Sequence, residues 1–320
     1  MPLRALTLSL LFFTASCSGA DSSDKVQIAV IPKGTTHEYW KSVHAGAETA
    51  ARELGVEIIW KGPLIESDRN AQIQVVEDFV TRGVDGIVLM PLDRVALVRP
   101  AREAQQAGIP VIIGDSDLDW NGRVSFVATD NKEGGRMGGE KLAELIGGEG
   151  KVILMRYLEN SASTTRREEG FLEAMAAHPG IEVVSSNQYA GPTIEGAQQT
   201  AENLLNAFSK VDGIFAPCEP AAYGMMRAIQ DAGRKGDIKF VGFDGSEKLV
   251  AGLAAGQVDA LVLQSPVAIG DLAVRAMVKH INGEAVDKRI DTGVVIATPG
   301  NMNDEEIQAL LSPDLSILDE

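Results

Sequence analysis

Short runs of apolar residues alternate with longer amphipathic stretches along most of the chain. The runs are continuous rather than alternating in polarity, which is typical of parallel strands that helices cover on both faces. Helix signals fill the intervals; Asp68, for example, opens one amphipathic stretch and Gly83 follows it. The pattern therefore predicts an α/β protein made of two doubly wound parallel-sheet units. The predicted strands cover residues 26–31, 56–60, 86–91, 110–114, 125–129, 148–155, 181–186, 213–217, 238–243, 259–264 and 293–298.

Polar residues follow several of these strands, at the sheet edge where open α/β folds bind their ligands. They occur in both halves of the chain, so we expect a cleft to which two domains contribute. The residues that this rule selects are Lys33, Asp115, Pro217, Cys218, Glu219, Asp244 and Gln264, and the loop after residues 151–157 carries Arg166 and Arg167.

The first residues have a different character. Arg4 precedes an apolar run over residues 5–13, and the small residues of "TASC" end at Cys17, which indicates a secretory signal. The cysteine favours a bacterial lipoprotein signal, in which Cys17 receives the lipid, although Thr14 stands where leucine is usual; plain cleavage nearby is the alternative. We expect residues 1–24 to be signal peptide and polar tether, and the protein to lie in the periplasm or cell envelope, anchored to the membrane only through that lipid.

Charge and cysteine content exclude some classes of partner. The net charge of −16 is spread along the 320 residues, which argues against binding to nucleic acid or to an anionic membrane surface. Cys218 is the only cysteine after Cys17, so no internal disulfide is expected, and no Cys/His cluster has zinc spacing. We expect neither a metal nor a cofactor.

A series of longer motifs points to one family. In order they are the strand, polar loop and aromatic pair at 28–40, "GVDGIVLMPLD" (83–93), "AGIPVIIGDSD" (107–117), "VATDNKEGGRMGG" (127–139), "RREEGF" (166–171), "GIFAPCEPAAYGMMRAIQDAG" (213–233), "VGFDGSE" (241–247) and "LVLQSP" (261–266). With this ordered set, residues 26–300 resemble the type I periplasmic substrate-binding proteins of ABC importers, most closely the ribose- and sugar-binding branch.

The resemblance implies two lobes joined by a three-strand hinge. The first lobe would hold residues 25–129 and 265–293, and the second would hold residues 130–264 and 294–320. The chain would be an extracytoplasmic binding protein that captures a sugar, an aldose or a related polyol, and delivers it to an ABC permease. Some members of the family also dock on chemoreceptors, which makes a chemoreceptor a further candidate partner.

Two other functions are not expected. The family binds without catalysis, and the chain lacks the GxSxG, P-loop and HExxH motifs of common enzyme classes. Sugar-sensing repressors share the fold but carry an N-terminal DNA-binding domain. A signal peptide over residues 1–24 leaves no room for such a domain.

The resemblance also implies roles for individual side chains. The aromatic pair Tyr39 and Trp40 would bring a ring against the apolar face of the sugar, although a core position is the alternative for one of them. The implied polar contacts to the sugar hydroxyls are Asp115, Arg167, Asp244 and Gln264, for which a structural ion pair or hinge hydrogen bond is the alternative.

Several positions depart from the ribose-binding pattern, so ribose itself is not assigned. Lys33 and His37 replace a small residue and an asparagine, and Cys218 replaces the usual binding asparagine, for which Glu219 is a candidate to compensate. The motifs "VIPK", "KGP", "DSD" and "IFAP" resemble the binding proteins for the furanosyl signal autoinducer-2, which is the alternative ligand. In that branch the lysine contacts the ligand; binding of an acidic sugar, or pairing with Glu219, are other roles open to Lys33.

Overall fold

The computed structural model describes residues 25–319, which form two lobes, each built on a six-stranded sheet. The sheet of the first lobe is parallel throughout. Its strands are β1 (Gln27–Ile31), β2 (Glu57–Trp60), β3 (Gly86–Leu89), β4 (Val111–Gly114), β5 (Phe126–Ala128) and β11 (Arg289–Asp291), in the order β11-β5-β4-β3-β1-β2.

The second lobe repeats this plan with one difference. Its last strand runs antiparallel to its neighbour, and the other strand pairs are parallel. The strands are β6 (Glu149–Arg156), β7 (Gly180–Tyr189), β8 (Gly213–Phe215), β9 (Lys239–Phe243), β10 (Ala260–Gln264) and β12 (Val294–Ala297), in the order β12-β10-β9-β8-β6-β7.

Helices cover the two faces of each sheet. They are α1 (Glu38–Leu54), α2 (Arg69–Arg82), α3 (Val98–Gln106), α4 (Asn131–Leu145), α5 (Ala162–Ala176), α6 (Ile194–Ala207), α7 (Glu219–Asp231), α8 (Glu247–Ala254), α9 (Pro266–Ile281) and α10 (Glu305–Leu311). The local sequence determines where α2 begins and ends. The Asp68 carboxylate accepts a hydrogen bond from the Ala71 amide at its start, and Gly83 ends the helix with φ 71°.

The predicted fold class is confirmed, and each predicted strand occurs at or next to its predicted position. Strand β11 was not predicted, because three residues with a single apolar side chain give no apolar run. The antiparallel β12 also departs from the parallel pattern, because a continuous apolar run does not specify strand direction.

Within residues 25–319 the chain passes between the sheets three times, after β5, after β10 and between β11 and β12. The first and third passages touch, since the hydroxyl oxygens of Thr129 and Thr292 lie 3.2 Å apart. The extent of each lobe given by the resemblance stays a prediction. The last turn, Ser316–Asp319, contacts α1 of the first lobe, where the Arg52 guanidinium donates to the Ile317 carbonyl oxygen.

Glycines allow the helices that carry cleft residues to pack backbone against backbone. A side chain at Gly135 in α4 would overlap the carbonyl oxygen of Arg167 in α5, and one at Gly170 would overlap that of Lys132. The two helices therefore approach as closely as their backbones permit. This contact fixes the position of Arg167 relative to the sheet beneath it.

Candidate functional site

A small cavity lies between the lobes, at the carboxyl ends of their strands. All ten side chains selected from the sequence line it: Lys33, His37, Tyr39, Trp40, Asp115, Arg167, Cys218, Glu219, Asp244 and Gln264. Five further lining residues were not selected: Glu66, Tyr157, Ser163, Thr164 and Pro220. The structure thus brings the selected residues together, while their roles toward a ligand stay predictions.

The first-lobe wall is centred on Asp115, directly after β4. Tyr39 donates its hydroxyl to Oδ1 of Asp115 at 2.8 Å, and the Lys33 ammonium lies 2.9 Å from Oδ2. The lysine contact is an ion pair without hydrogen-bond geometry, so Oδ2 accepts no hydrogen bond from residues 25–319. The ammonium instead donates to Ser163 Oγ of the second lobe at 2.8 Å. Lys33 therefore pairs with Asp115 and not with Glu219, which corrects one role considered for it.

The second-lobe wall is centred on Arg167, whose side chain is almost fully buried. Its guanidinium lies 3.9 Å from the centre of the Phe243 ring and donates to the Pro217 carbonyl oxygen at 2.9 Å and to Asn131 Oδ1 at 2.8 Å. One of its nitrogens also lies 3.8 Å from a carboxylate oxygen of Asp244. Arg167 is therefore held in one orientation by packing, hydrogen bonds and charge together.

Asp244 is itself fixed by two donors. The Gln264 amide donates to its Oδ1 at 2.6 Å, and the Glu219 backbone amide donates to its Oδ2 at 3.1 Å. Burial raises the pKa of Asp244, an effect that the Arg167 charge opposes. The Oε1 of Gln264 is buried, and no group in the described part of the chain donates a hydrogen bond to it.

The aromatic pair occupies both a core and a cavity position. The rings of Tyr39 and Trp40 meet edge to face, with centroids 5.0 Å apart, and pack into the core of the first lobe. Their polar edges point to carboxylates, since Tyr39 donates to Asp115 and the Trp40 indole donates to Glu66 Oε1 at 2.7 Å. A core position was considered for only one of the two rings. In the structure both rings pack in the core, and both also line the cavity.

His37 lies between two acceptors. Its Nδ1 is 2.9 Å from Glu66 Oε1, and its Nε2 is 3.1 Å from the Pro192 carbonyl oxygen of the second lobe. Because neither acceptor carries a hydrogen, both ring nitrogens must donate, which requires the imidazolium. Burial alone lowers the pKa of His37, but the hydrogen bond and charge of Glu66 raise it to about 9. Burial alone raises the pKa of Glu66, but the hydrogen bond and charge of His37 lower it to about 2.

Cys218 and Glu219 begin α7 at the floor of the cavity. The thiol is buried among the apolar side chains of the second lobe, and burial raises its pKa. Glu219 accepts from the Tyr39 backbone amide across the cleft at 3.4 Å, and burial raises the pKa of its carboxyl to about 7. Glu219 therefore places a carboxyl group next to the buried thiol, while its compensation for the asparagine of the ribose-binding pattern stays a prediction.

The missed residues had weak signals in the sequence. Ser163 and Thr164 lie four and three positions before Arg167 on the same helix, which places them near its face. Tyr157 directly follows β6, the position that selected other candidates. Glu66 lies within the loop between β2 and α2, too far from the strand end for the same rule to select it.

Comparison with known proteins identifies the family. The profile of the periplasmic binding protein domain matches residues 28–285. The chain belongs to the periplasmic binding protein family. The ribose import binding protein RbsB of Haemophilus influenzae is 31% identical over 288 residues, which cover 90% of this chain and 96% of that protein.

Solved structures of the family superpose closely on this chain. A carbohydrate transporter solute-binding protein from Agrobacterium radiobacter, in complex with D-arabinose, has a TM-score of 0.88 and 33% identity and covers 91% of this chain and 100% of its own. An ABC transporter solute-binding protein from Agrobacterium vitis with bound D-fucose has a TM-score of 0.86 and 34% identity and covers 89% of this chain and 99% of its own.

Membership of this family bears on two broader predictions, the binding role of the chain and its location. The relatives are binding proteins of importers rather than enzymes, which confirms that the chain is a binding protein. The family implies a periplasmic location. Between residues 25 and 319, no helix has the length and apolar character to cross a membrane.

Proposed function

We propose that the protein captures a small carbohydrate, an aldose or a related polyol, between its lobes and delivers it to an ABC permease. The observation that carries this proposal is that buried acceptors of both lobes face one cavity: Asp115 Oδ2 of the first lobe, whose neighbour is the Lys33 ammonium at 2.9 Å, and Gln264 Oε1 of the second, which accepts no hydrogen bond from the described residues. A buried acceptor without a partner, such as Gln264 Oε1, costs about 1–3 kcal/mol. A sugar presents several hydroxyl groups, each of which donates one hydrogen bond and accepts others, so one ligand can supply donors to both lobes.

The charges around the cavity favour a neutral ligand. Each cationic side chain that lines it already faces a carboxylate, so the carboxylate of an amino acid or acidic sugar would compete with an existing partner. The pairs are Lys33 with Asp115, His37 with Glu66, and Arg167 with Asp244.

The relatives support the same class of ligand. The names of the similar proteins mention ribose, D-allose and D-apiose, and among the solved complexes are ones with D-arabinose, D-fucose, D-allose, alpha-D-tagatopyranose and myo-inositol. All are neutral; most are aldoses, tagatose is a ketose and myo-inositol is a cyclic polyol. At about one third identity or less, this likeness supports the class of sugar and not the individual sugar.

The contacts between the lobes support capture by closure. Besides the Lys33 contact to Ser163, the Tyr157 hydroxyl reaches Glu66 at 3.0 Å. Such bonds form only when the lobes are together, so a ligand that bridges them shifts the equilibrium toward the closed form. We propose that the permease recognises this form, and that a chemoreceptor is a further candidate partner for it.

A ligand screen tests the proposal. Thermal unfolding of the purified protein is followed with pentoses, hexoses, inositols, uronic acids, autoinducer-2 and amino acids at millimolar concentration. At least one neutral aldose or polyol should raise the melting temperature by several degrees, because a ligand at about 100 times its Kd stabilises the folded state by about 2.7 kcal/mol. A shift with amino acids alone contradicts the proposal, and a shift with autoinducer-2 alone replaces the aldose by that signal.

We also propose that Cys17 carries a lipid that tethers the protein to the membrane. Residues 1–24, on which this rests, lie outside the described residues, and the support is the "TASC" sequence after an apolar run. Substitution Cys17→Ser should move the protein from the membrane fraction to the soluble periplasmic fraction. A wild-type protein that is already soluble and free of lipid contradicts the tether and supports plain cleavage.

A further inference from the structure

One hydrogen bond across the cleft joins Glu66 and Tyr157, two cavity residues that were not selected from the sequence. Glu66 lies in the loop between β2 and α2 of the first lobe, and Tyr157 follows β6 of the second. The Tyr157 hydroxyl donates to Glu66 Oε2 at 3.0 Å, and both residues are over nine-tenths buried, at 8% and 2% exposure. A charge-assisted bond of this kind is stronger than one between neutral groups.

Both oxygens of the Glu66 carboxylate accept hydrogen bonds. Its Oε1 accepts from the Trp40 indole at 2.7 Å and from His37 at 2.9 Å, and both of these donors lie in the first lobe. Its Oε2 accepts from Tyr157. The first-lobe contacts therefore hold the carboxylate in place, and Oε2 presents a fixed acceptor to the second lobe.

Glu66 also separates two spaces. It lines the cavity between the lobes and also a pocket on its outer side. Tyr157 stands on the inner side only, and its neighbour Leu158 lines the outer pocket. The Glu66–Tyr157 contact is therefore part of the wall that closes the inner cavity.

We propose that Glu66 and Tyr157 form a latch: two positioning residues that hold the lobes closed over the bound sugar and so set its rate of release. The latch rests on the proposed function, because it acts on a ligand held in the cavity. In the open form both groups are hydrated and separate. In the closed form the tyrosine hydroxyl replaces the water that the carboxylate loses, so the bond stabilises the closed form selectively.

The variant Tyr157→Phe tests the latch, because it keeps the ring and removes only the hydroxyl. Glu66 Oε2 then loses its donor in the closed form and keeps its water in the open form. With the aldose that gives the largest shift in the screen above, stopped-flow kinetics should show release about tenfold faster or more, and association within about twofold of wild type. Glu66→Gln should act in the same direction, since one amide oxygen cannot serve three donors.

Tyr223→Phe is the matched control. Tyr223 belongs to α7 of the same lobe, and its ring packs beneath the Lys248 ammonium, 5.1 Å from the ring centre. Removing its hydroxyl should leave both rates unchanged. Release from Tyr157→Phe at the wild-type rate overturns the latch while leaving sugar binding intact. A slower association together with a lower melting temperature of the free protein also overturns it, because that result shows a structural role.

Failure of the proposed function gives a different result. If no sugar in the screen binds the wild type, the carbohydrate proposal fails, and the latch, which rests on it, fails with it. If the wild type binds a sugar and Tyr157→Phe releases it at the wild-type rate, the latch alone is overturned.

Discussion

Asp115 and Asp244 occupy equivalent positions in the two lobes and face one cavity. Each is the first residue after a central strand, and each has a left-handed backbone, with φ of 57° and 71°. The amide of Asp115 donates to the Val127 carbonyl oxygen at 2.9 Å, and that of Asp244 donates to the Val262 carbonyl oxygen at 2.8 Å. A left-handed aspartate is uncommon, and two at matched sites indicate that the strand ends are shaped to aim carboxylates into the cleft.

The first prediction concerns the carboxylate of Asp115. Asparagine tolerates the left-handed backbone, so Asp115→Asn should fold, but it removes the charge beside Lys33 and one acceptor of the cavity. We expect the affinity for the sugar to fall by roughly 2–4 kcal/mol, measured by calorimetry. Asp117→Asn is the control, because Asp117 is 44% exposed and pairs with Arg123 outside the cavity. Equal losses in the two variants would show that the effect is not specific to the cleft.

The second prediction separates two adjacent arginines. Arg167→Ala removes the guanidinium that packs on Phe243 and leaves the Pro217 carbonyl without this donor. Binding should weaken by roughly 2–4 kcal/mol, and the free energy of unfolding should fall by about 1–3 kcal/mol. Arg166→Ala, which removes an exposed ion pair with Glu169, should change either quantity by less than about 0.5 kcal/mol. If Arg166→Ala has the larger effect on binding, the implied contact belongs to the wrong arginine.

The third prediction is a pH dependence of stability from the His37–Glu66 pair. The pKa of His37 is raised from 6.5 to about 9, so its contribution is complete below pH 6.5 and is lost as pH rises through about 9. The pKa of Glu66 is lowered from 4.5 to about 2, so its contribution is present above pH 4.5 and is lost as pH falls through about 2. Stability from this pair should therefore be greatest between these limits.

Urea unfolding at about pH 6 and pH 9.5 measures the alkaline side. His37→Gln should reduce the decrease in unfolding free energy between these two values by about 3 kcal/mol relative to wild type. His178→Gln is the control, because His178 makes an equally short contact of 2.9 Å with Glu140 but is less buried and lies within the second lobe. An unchanged pH dependence in His37→Gln would show that His37 is not the titrating group.

The fourth prediction concerns the packing beneath Arg167. In Gly135→Ala the new methyl group would overlap the Arg167 carbonyl oxygen, so α4 and α5 must separate. The free energy of unfolding should fall by roughly 1–3 kcal/mol, and sugar affinity should fall with it because Arg167 moves. At Gly300 the nearest atom to an added methyl group is a Thr298 hydroxyl at 3.7 Å, so Gly300→Ala should be tolerated. Chemical denaturation of both variants distinguishes tight packing from a general cost of replacing glycine.

The sequence was sufficient to predict eleven of the twelve strands between residues 25 and 319 and many of the cavity residues, because both depend on local order. Asp115 and Asp244 were found because each directly follows an apolar run, and parallel strands bring their carboxyl ends to one edge. The strand-end rule pointed only to the loop that carries Arg166 and Arg167, and a motif of the resembling family distinguished Arg167 from its neighbour. Strand β11 was missed because its pairing with β5, and not its composition, makes it a strand.

The pairing of polar groups could not be predicted in the same way. Glu66 and Tyr157 are 91 positions apart and meet only when the lobes close. Likewise, Lys33 has several carboxylates within the cavity, and the folded geometry decides that Asp115 is its partner. Such choices depend on distances of a few ångströms between elements, which residue types and spacing do not specify.

The most direct test of sugar capture by carboxylates of both lobes is a calorimetric titration of neutral aldoses and polyols into wild type, Asp115→Asn and Asp244→Asn. The proposal predicts one sugar per wild-type chain with a Kd in the micromolar range or below, equivalent to about −8 kcal/mol, and at least about tenfold weaker binding in each variant. Absence of binding by any aldose or polyol at millimolar concentration, or equal affinity in all three proteins, would contradict it.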